Sequence, residues 1–210
     1  PLVFALMLNE VRNVRFKKFV QTIVYLPHFI SWVILASILS KIFGYTGVYN
    51  YIMGLFGREP QVLMSNSGFF RWFIILGEVW KECGFNAIIY LAALTSISPN
   101  LYEAAAIDGA NRWQSMRSIT LPALRPTVVL LATLAMGNVL NAGFDQVYNM
   151  YSPIVYETGD IIDTMVYRLG LENAKYGPAA AVSIFKSVVS MLFISVSYYV
   201  ADRFFDYRLF

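Results

Sequence analysis

Long apolar windows separated by short polar segments dominate the chain. Three windows carry no fully charged residue and a fourth is interrupted only by Lys186; they cover residues 19–40, 83–102, 126–144 and 179–201. A helix needs about 20 mostly apolar residues to cross a membrane. Together with the apolar start of the chain, the pattern predicts five helical spans, near 1–9, 20–43, 70–97, 127–147 and 180–201.

The composition agrees with this pattern and predicts an all-α integral membrane protein. Of the 210 residues, 58% are hydrophobic and 14% are charged, and the mean hydropathy is +0.55, outside the range of ordinary soluble domains. We expect one multi-span helical domain over 1–210. Because the chain begins at Pro1 within an apolar stretch, we expect that the first span is partial and that N-terminal spans are missing. The net charge of +3 is spread over short loops, which argues against nucleic-acid binding.

Lysine and arginine predict the orientation of the spans, because short loops rich in these residues stay cytoplasmic. Nine of them fall on one side, and five fall on the other: Arg12, Arg15, Lys17, Lys18, Arg112, Arg117, Arg125, Arg203 and Arg208 against Lys41, Arg58, Arg71, Arg168 and Lys175. This bias places the segment over 98–126 and the C-terminus in the cytoplasm. The segments near 45–69 and 148–178 are then outside.

The polar segment over 98–126 predicts two short helices joined by a glycine turn. Ser98-Pro99 is a suitable start for the first helix, with a side-chain cap and a proline at the first helical position. Gly109 permits a turn that other residues resist. Pro122 and Pro126 are expected to stop the second helix and to start the next span. From the residues alone, a surface that docks a partner and an interfacial hairpin that links two spans are equally compatible.

The segment EAAAIDGANRWQSMRSITLP, from Glu103 to Pro122, resembles the coupling motif of permease subunits from binding-protein-dependent ABC importers. The resemblance rests on the spacing of Glu103-Ala104-Ala105, Gly109 and Ile119-x-Leu121-Pro122. It extends to YLPHFISWVI at 25–34, to residues 80–126 and to ETGDIIDTMVYRLG at 157–170. These stretches are most similar to the carbohydrate branch, in particular to the oligosaccharide and polysaccharide permeases that include alginate importers.

This resemblance implies that the segment is the coupling helix that sits in a cleft of a cytoplasmic ATPase subunit. The contact would be made by Glu103, Ala104, Ala105, Gly109 and Arg112. It also implies a bundle of the maltose-importer permease type in the bacterial cytoplasmic (inner) membrane, surrounded by membrane lipid. The expected partners are a second permease subunit that is a different chain, two ATPase subunits, an extracytoplasmic solute-binding protein and a saccharide.

The chain itself lacks the phosphate loop Gly-x-x-x-x-Gly-Lys, since no glycine is followed by lysine. We therefore expect no cofactor on this chain, and ATP with Mg²⁺ on the partner ATPase subunits. The sequence also offers no nucleophile motif and no cluster at metal-ligand spacing. These observations favour a transporter subunit over an enzyme.

Three charged residues, Glu78, Lys81 and Glu82, lie inside the predicted 70–97 span. Ionisable groups in a membrane are costly, and they usually face the interior of a bundle or a water-filled path. Lys81 can pair with Glu78, so the pattern slightly favours a structural ion pair over a lining of the translocation path.

Asn138, Asn141 and Asp145 recur at i, i+3 and i+7, which puts them on one face of a helix over 127–147. Sugars need hydrogen-bonding groups, and the family resemblance implies that this helix contributes to the translocation path. Hydrogen bonding between helices is an equal alternative.

The segment over 148–176 is predicted to lie outside the membrane. In maltose-type importers the corresponding loop reaches toward the binding protein, so the resemblance implies a docking or release role, and long ordered loops are often functional. An ordinary exposed loop is the alternative. The candidate contacts are Tyr148, Tyr151, Tyr156, Glu157 and Asp160.

The predicted function is a permease subunit of an ATP-driven importer. It would form half of the translocation path for an oligo- or polysaccharide, with alginate as one candidate by resemblance. The competing prediction is an ion-coupled secondary transporter or channel that uses Glu78, Lys81, Glu82 and Asp145. That alternative requires an ion gradient and no ATPase.

Overall fold

The computed structural model describes the backbone of residues 1–205 and the side chains of residues 1–203, and this part of the chain forms helices joined by turns and loops, without strands. Its α-helices are α1 Leu2–Glu10, α2 Val14–Tyr25, α3 Trp32–Phe43, α4 Val48–Leu55, α5 Ser67–Thr95, α6 Pro99–Ile107, α7 Arg112–Ser115, α8 Leu121–Gly137, α9 Phe144–Met150, α10 Tyr156–Gly159, α11 Ile162–Tyr167 and α12 Tyr176–Phe205. Further turns are 3₁₀-helical at Leu26–Phe29, Leu63–Ser65 and Pro153–Val155, and π-helical at Met116–Thr120 and Arg168–Glu172. The predicted all-α fold class is confirmed.

Three stretches of helix are long and apolar enough to cross a membrane: Trp32–Leu55, Arg112–Gly137 and Tyr176–Arg203. The first of them contains the turn between α3 and α4. On α12, large apolar side chains point outward, and Phe185 and Met191 are each 68% exposed. A surface this apolar suits lipid or partner helices and not water. The number of spans stays a prediction.

The span expected over 20–43 is not one continuous helix, because the chain breaks at 26–31; the span itself stays a prediction. Helix α2 ends at Tyr25, a 3₁₀ turn follows, and α3 starts at Trp32. Pro27 explains the break, since proline has no N–H to donate and disfavours helical geometry in the residue before it. Ser31 then caps α3, because its side chain accepts a hydrogen bond from the backbone N–H of Ile34.

The single helix expected over 127–147 is also wrong. Helix α8 ends at Gly137, and α9 begins only at Phe144, after Gly143 in the left-handed conformation with φ of 71°. In the gap, the Asn141 N–H donates to the Asn138 carbonyl at 2.9 Å, and the Asn141 amide donates to Oδ1 of Asn138 at 3.2 Å. Asparagine side chains favour such local bonds over helix continuation.

Two prolines expected to stop a helix are instead part of one. Helix α7 continues through the π-helical turn into α8, so the helix is continuous from Arg112 to Gly137. The Leu121 N–H bonds the Met116 carbonyl, five residues back. This wider turn lies directly before Pro122, which lacks the N–H that a regular α-helix would need there. Pro126 lies inside α8.

The described chain packs as two compact units. One contains Pro1–Tyr25, Glu82–Gly137 and the chain from Met191, and the other contains Leu26–Lys81 and Asn138–Ser190. The core of the first unit is formed by Ala5, Ala87, Leu94 and Leu124. The core of the second is formed by Ala36, Phe70, Met150 and Val155. Each core contains few buried residues for the number of residues in its unit. Helix bundles whose outer surface meets lipid have this property. The single membrane domain stays a prediction.

Close packing of α5 on α2 requires a glycine at position 84. A Cβ atom at Gly84 would collide with the backbone carbonyl and the side chain of Val24. Small residues at such crossings let helices in membranes approach closely. The contact fixes α2 against α5 within the first unit.

We expect Gly84→Ala to lower the free energy of unfolding by about 1–3 kcal/mol, because one methyl group has to displace backbone. Unfolding in detergent micelles, followed by circular dichroism, measures this change. Gly54→Ala is the matched control, since Gly54 lies within α4 and a Cβ there meets nothing within 4 Å. Equal stability of the two variants would contradict the close approach.

Candidate functional site

The hairpin at 98–111 ends its first helix with a backbone motif. Ser98 is the N-cap of α6 and Pro99 its first residue, as predicted, although the Ser98 side chain makes no capping bond. At the other end, the N–H of Ala110 bonds the Ala105 carbonyl at 2.8 Å, and the N–H of Gly109 bonds the Ala106 carbonyl at 3.1 Å. This pair of bonds is the Schellman motif. Gly109 has a φ of +76°, so the predicted glycine turn is confirmed.

The second helix of the hairpin begins with a capping box that the sequence analysis missed. The N–H of Gln114 donates to Oδ1 of Asn111 at 2.9 Å, and the N–H of Asn111 donates to Oε1 of Gln114 at 2.7 Å. The signal was present in the sequence as Asn-x-x-Gln, an amide variant of the usual capping box. Both ends of the turn are therefore fixed by local hydrogen bonds.

The predicted contact residues of the hairpin reach the surface. Glu103, Ala104, Gly109 and Arg112 are exposed and Ala105 is half-buried. Two large apolar side chains that the sequence analysis did not nominate also stand out, since Ile107 is 87% and Trp113 68% exposed. Large apolar side chains exposed on a polar hairpin are a feature of protein interfaces.

Two side-chain contacts hold the hairpin within the first unit. The Tyr102 and Thr120 hydroxyls lie 2.9 Å apart and join α6 to the π-helical turn. Arg112 forms an ion pair with Glu10 at 3.3 Å. Because both charged side chains are largely exposed, this pair contributes little stability. Arg112 therefore forms a weak ion pair within the unit and remains accessible at the surface.

Lys81 is buried in α5 and bonds backbone. Only 7% of it is exposed, and its Nζ donates to the His28 carbonyl at 2.9 Å and lies 5.7 Å from the Trp32 ring centre. The break at 26–31 leaves carbonyls without helical partners, and the ammonium group satisfies one of them. Glu78 and Glu82 lie half-buried on the same helix. A path role for the three residues stays a prediction.

Asn138, Asn141 and Asp145 do not share a helix face. The two asparagines lie in the gap after α8, Asp145 lies in the first turn of α9, and all three are exposed. The polar residue that does pack inside is Gln146, which was not nominated. It is 1% exposed, and its Nε2 donates to the Ile74 carbonyl at 2.9 Å beside Gly77.

The segment over 144–172 is a folded cap and not a loose loop. Its centre is Arg168, which the sequence analysis did not single out. The guanidinium makes two bonds to the Asp160 carboxylate, at 3.0 and 2.5 Å, and lies 4.3 Å from the Tyr156 ring centre and 5.9 Å from that of Tyr151. Bidentate Arg–carboxylate pairs are among the strong hydrogen bonds in proteins. Asp160 and the two tyrosines are therefore engaged within the cap.

The electrostatics of the cap follow from these contacts. Burial alone would raise the pKa of Asp160, but hydrogen bonds from Arg168 and Thr164, the charge of Arg168 and the N–H of Ile161 together lower the pKa below its ordinary value. The hydrogen bonds that Arg168 donates to Asp160 raise the pKa of Arg168 above its ordinary value.

Tyr148 is also engaged within the cap. Its hydroxyl bonds the Tyr167 hydroxyl at 3.2 Å, and this bond is the main cause that raises the pKa of Tyr148 to about 12. Of the five candidate contacts in this segment, Glu157 is the one that is fully exposed, and the other four are half-buried. The binding-protein contact itself stays a prediction.

The long apolar helices, the folded cap and the exposed hairpin are the features of a helical integral membrane protein. The sequence matches the family described as binding-protein-dependent transport system inner membrane component over residues 2–206. The chain belongs to this family.

Individual relatives agree with this assignment. The chain is 44% identical over 206 residues to protein LplB and 42% identical over 207 residues to the polygalacturonan/rhamnogalacturonan transport system permease protein YteP, both of Bacillus subtilis (strain 168). Each alignment covers 97% of this chain and 64% of the relative, so the chain spans just under two thirds of the length of these relatives. The predicted resemblance to permeases of oligosaccharide and polysaccharide importers is confirmed.

A solved structure shows the same fold. The chain superposes with a TM-score of 0.94 and 41% identity on a chain from the crystal structure of a bacterial alginate ABC transporter in complex with an alginate pentasaccharide-bound periplasmic protein. The match covers 100% of this chain and 73% of that chain.

We expect Arg168→Lys to destabilise the cap by about 1–3 kcal/mol, because lysine keeps the charge but loses the forked bonds to Asp160 and the ring contacts. Hydrogen exchange over 144–172 measures the change. Arg58→Lys is the control, since Arg58 is exposed. Unchanged protection in Arg168→Lys would show that the two hydrogen bonds from Arg168 to Asp160 do not stabilise the cap.

The cap should also lose stability in acid. Because the folded pKa of Asp160 lies below its ordinary value of 3.8, its contribution is complete above about pH 5 and is lost as the pH falls through the folded pKa. The protection of the 144–172 amides, measured as the exchange rate relative to the intrinsic rate at each pH, should therefore fall in wild type below that range. Asp160→Asn should exchange faster at neutral pH and show a smaller acid effect; an equal acid effect in both proteins would exclude Asp160 as its source.

Proposed function

We propose that this chain is a permease subunit of an ATP-driven importer and forms half of the translocation path for an oligo- or polysaccharide. The observation that carries this proposal is the hairpin. The segment that resembles the family's coupling motif, from Glu103 to Pro122, contains an exposed hairpin whose first helix ends in the Schellman motif at Gly109. The family match over residues 2–206 supports an ATP-driven importer over an ion-coupled transporter or channel.

The hairpin is proposed to dock on a cytoplasmic ATPase subunit. Glu103 and Arg112 supply charged contacts, and the small side chains of Ala104 and Ala105 allow close approach. Ile107, with 87% of its surface exposed, adds an apolar anchor of the kind found at interface centres. ATP and Mg²⁺ would bind to two such ATPase subunits, and a second permease, a different chain, would complete the path.

The helix breaks support a transport path. Irregular backbone is tolerated at membrane depth only where it is buried in protein or lines a water-filled cavity, and discontinuous helices build the substrate sites of many transporters. Asn138 and Asn141 leave exposed amides at one such break, and amides suit sugar hydroxyls. We assign these two residues and Asp145 to the path, and the half-buried Glu78 and Glu82 to its charged lining. Lys81 is buried and bonds the His28 carbonyl, so we assign it to the support of that lining.

The saccharide is proposed to be a polyuronate-type oligosaccharide or polysaccharide. A relative at 42% identity is described as a polygalacturonan/rhamnogalacturonan permease, and the matching structure is an alginate importer. A solute-binding protein would deliver it to the outer cap. Glu157 is the exposed member of the cap candidates, so we assign it to the rim of that contact, and Tyr148, Tyr151, Tyr156 and Asp160 to the support beneath it.

The test is copurification of the full-length protein with its partner permease and the candidate ATPase in detergent. We expect the Gly109→Val variant to retain at least about tenfold less ATPase than wild type. A β-branched residue resists a φ of +76° and would deform the hairpin. Glu103→Ala should weaken retention without changing the fold.

The matched control is Gly57→Val. Gly57 has a φ of +74°, and a Cβ at either glycine meets nothing within 4 Å, so both variants strain the backbone equally without a steric clash. Loss of the ATPase in Gly109→Val alone assigns the docking surface to the hairpin. Equal retention in all variants would remove the hairpin from the interface, and absence of an ATPase from the wild-type complex would overturn the importer assignment.

A further inference from the structure

Helix α2 and the residue before its cap form a basic segment that neither the transport path nor the coupling hairpin uses. Arg12, Arg15, Lys17 and Lys18 fall within seven residues, and no acidic residue lies between Arg12 and Tyr25. The start of the helix is fixed, because Oδ1 of Asn13 accepts hydrogen bonds from the backbone N–H groups of residues 15 and 16. The basic side chains therefore project from an ordered helix.

The opposite face of α2 is apolar and uncovered. Phe16, Phe19 and Ile23 are spaced as i, i+3 and i+7, so they lie along one face, and they are 55%, 62% and 52% exposed. By helical spacing, Arg15 lies beside Phe19 at one edge of this face, whereas Lys17 and Lys18 both lie well away from it. No residue of α2 is buried. An amphipathic helix with basic residues and exposed aromatic side chains is typical of the membrane interface.

Length and pairing support the same location. With 12 residues, α2 is about 18 Å long, too short to cross the hydrocarbon core of a bilayer by itself. Among the residues that the structure describes, none of the four basic side chains forms an ion pair with a carboxylate. Four positive charges beside an apolar face thus lack a protein counter-charge in this part of the chain.

We propose that α2 is a binding site for the headgroups of anionic phospholipids. Phe16, Phe19 and Ile23 lie among the acyl chains, and Arg15 extends along the interface to phosphate groups. Arg12, Lys17 and Lys18 meet the negative surface of the bilayer. Clusters of four or more basic residues next to a membrane segment recognise anionic lipid in this way. The site selects lipid by charge and is independent of the ATPase contact.

Native mass spectrometry of the full-length protein tests this proposal, with equal amounts of phosphatidylglycerol and phosphatidylcholine that carry the same acyl chains. We expect wild type to retain phosphatidylglycerol about fivefold or more over phosphatidylcholine, since each basic group near an anionic surface contributes on the order of that factor. Neutralising the four residues as Arg12→Gln, Arg15→Gln, Lys17→Gln and Lys18→Gln should abolish the preference. Raising the salt concentration should weaken it in wild type.

Two matched variants complete the design. Lys17→Arg with Lys18→Arg keeps the charge and should keep the preference. A second fourfold variant, with the same change in net charge, should also keep it: Lys41→Gln, Arg58→Gln, Arg71→Gln and Lys175→Gln.

Three outcomes would overturn the proposal. They are an unchanged preference after neutralisation of α2, a preference in wild type that does not respond to salt, and equal loss in the second fourfold variant. If neutralising α2 instead releases a protein partner while lipid retention is unchanged, α2 is a protein interface. The wild-type salt titration decides the question even if the neutralised protein fails to fold.

Discussion

The backbone of a membrane protein must satisfy its own hydrogen bonds, because the hydrocarbon core offers none. Continuous helices meet this condition automatically, whereas each helix break leaves orphan groups. In this chain the two breaks are satisfied differently. At the first break a side chain supplies the missing partner, because Lys81 donates to the carbonyl of His28 in the 3₁₀ turn. In the gap after α8 the backbone N–H of Asn141 bonds the Asn138 carbonyl, and the two asparagine side chains bond each other.

The same requirement separates two kinds of polar residue. Lys81 and Gln146 are buried and bond backbone carbonyls, so removing either would leave a buried acceptor without its bond. Asn138, Asn141 and Asp145 are instead exposed. In the cap the distinction recurs, since Asp160 is bonded to Arg168 and Glu157 is exposed. A polar residue in a sequence pattern therefore needs its contacts before a role in binding can be assigned.

The sequence predicted the all-helical class, the family and the glycine turn at Gly109, because these depend on composition, on a specific motif and on a local backbone requirement. The sequence-based predictions of helix ends were wrong where two local preferences competed. Pro122 was expected to end a helix, but a π-helical turn before it accommodates the missing N–H. The helix over 127–147 was extended through Gly137 because apolar periodicity does not register the local bonding of asparagines. The partners of Lys81 and Arg168 are 53 and 8 residues away, and the more distant one depends on tertiary packing that no local pattern encodes.

Continuity of the helix from Arg112 to Gly137 has a mechanical consequence. Its 26 residues form a rod about 39 Å long, and the hairpin is attached at one end without an intervening flexible linker. A tilt of about 10° around the hairpin end would displace the far end by about 7 Å, by the geometry of a rod of that length. The π-helical turn lies close to the hairpin. The part of the rod near this pivot moves least when the rod tilts. The hairpin and the rod together have the form of a lever, with Gly137 at the tip of the long arm and the Asn138–Asn141 gap directly after it.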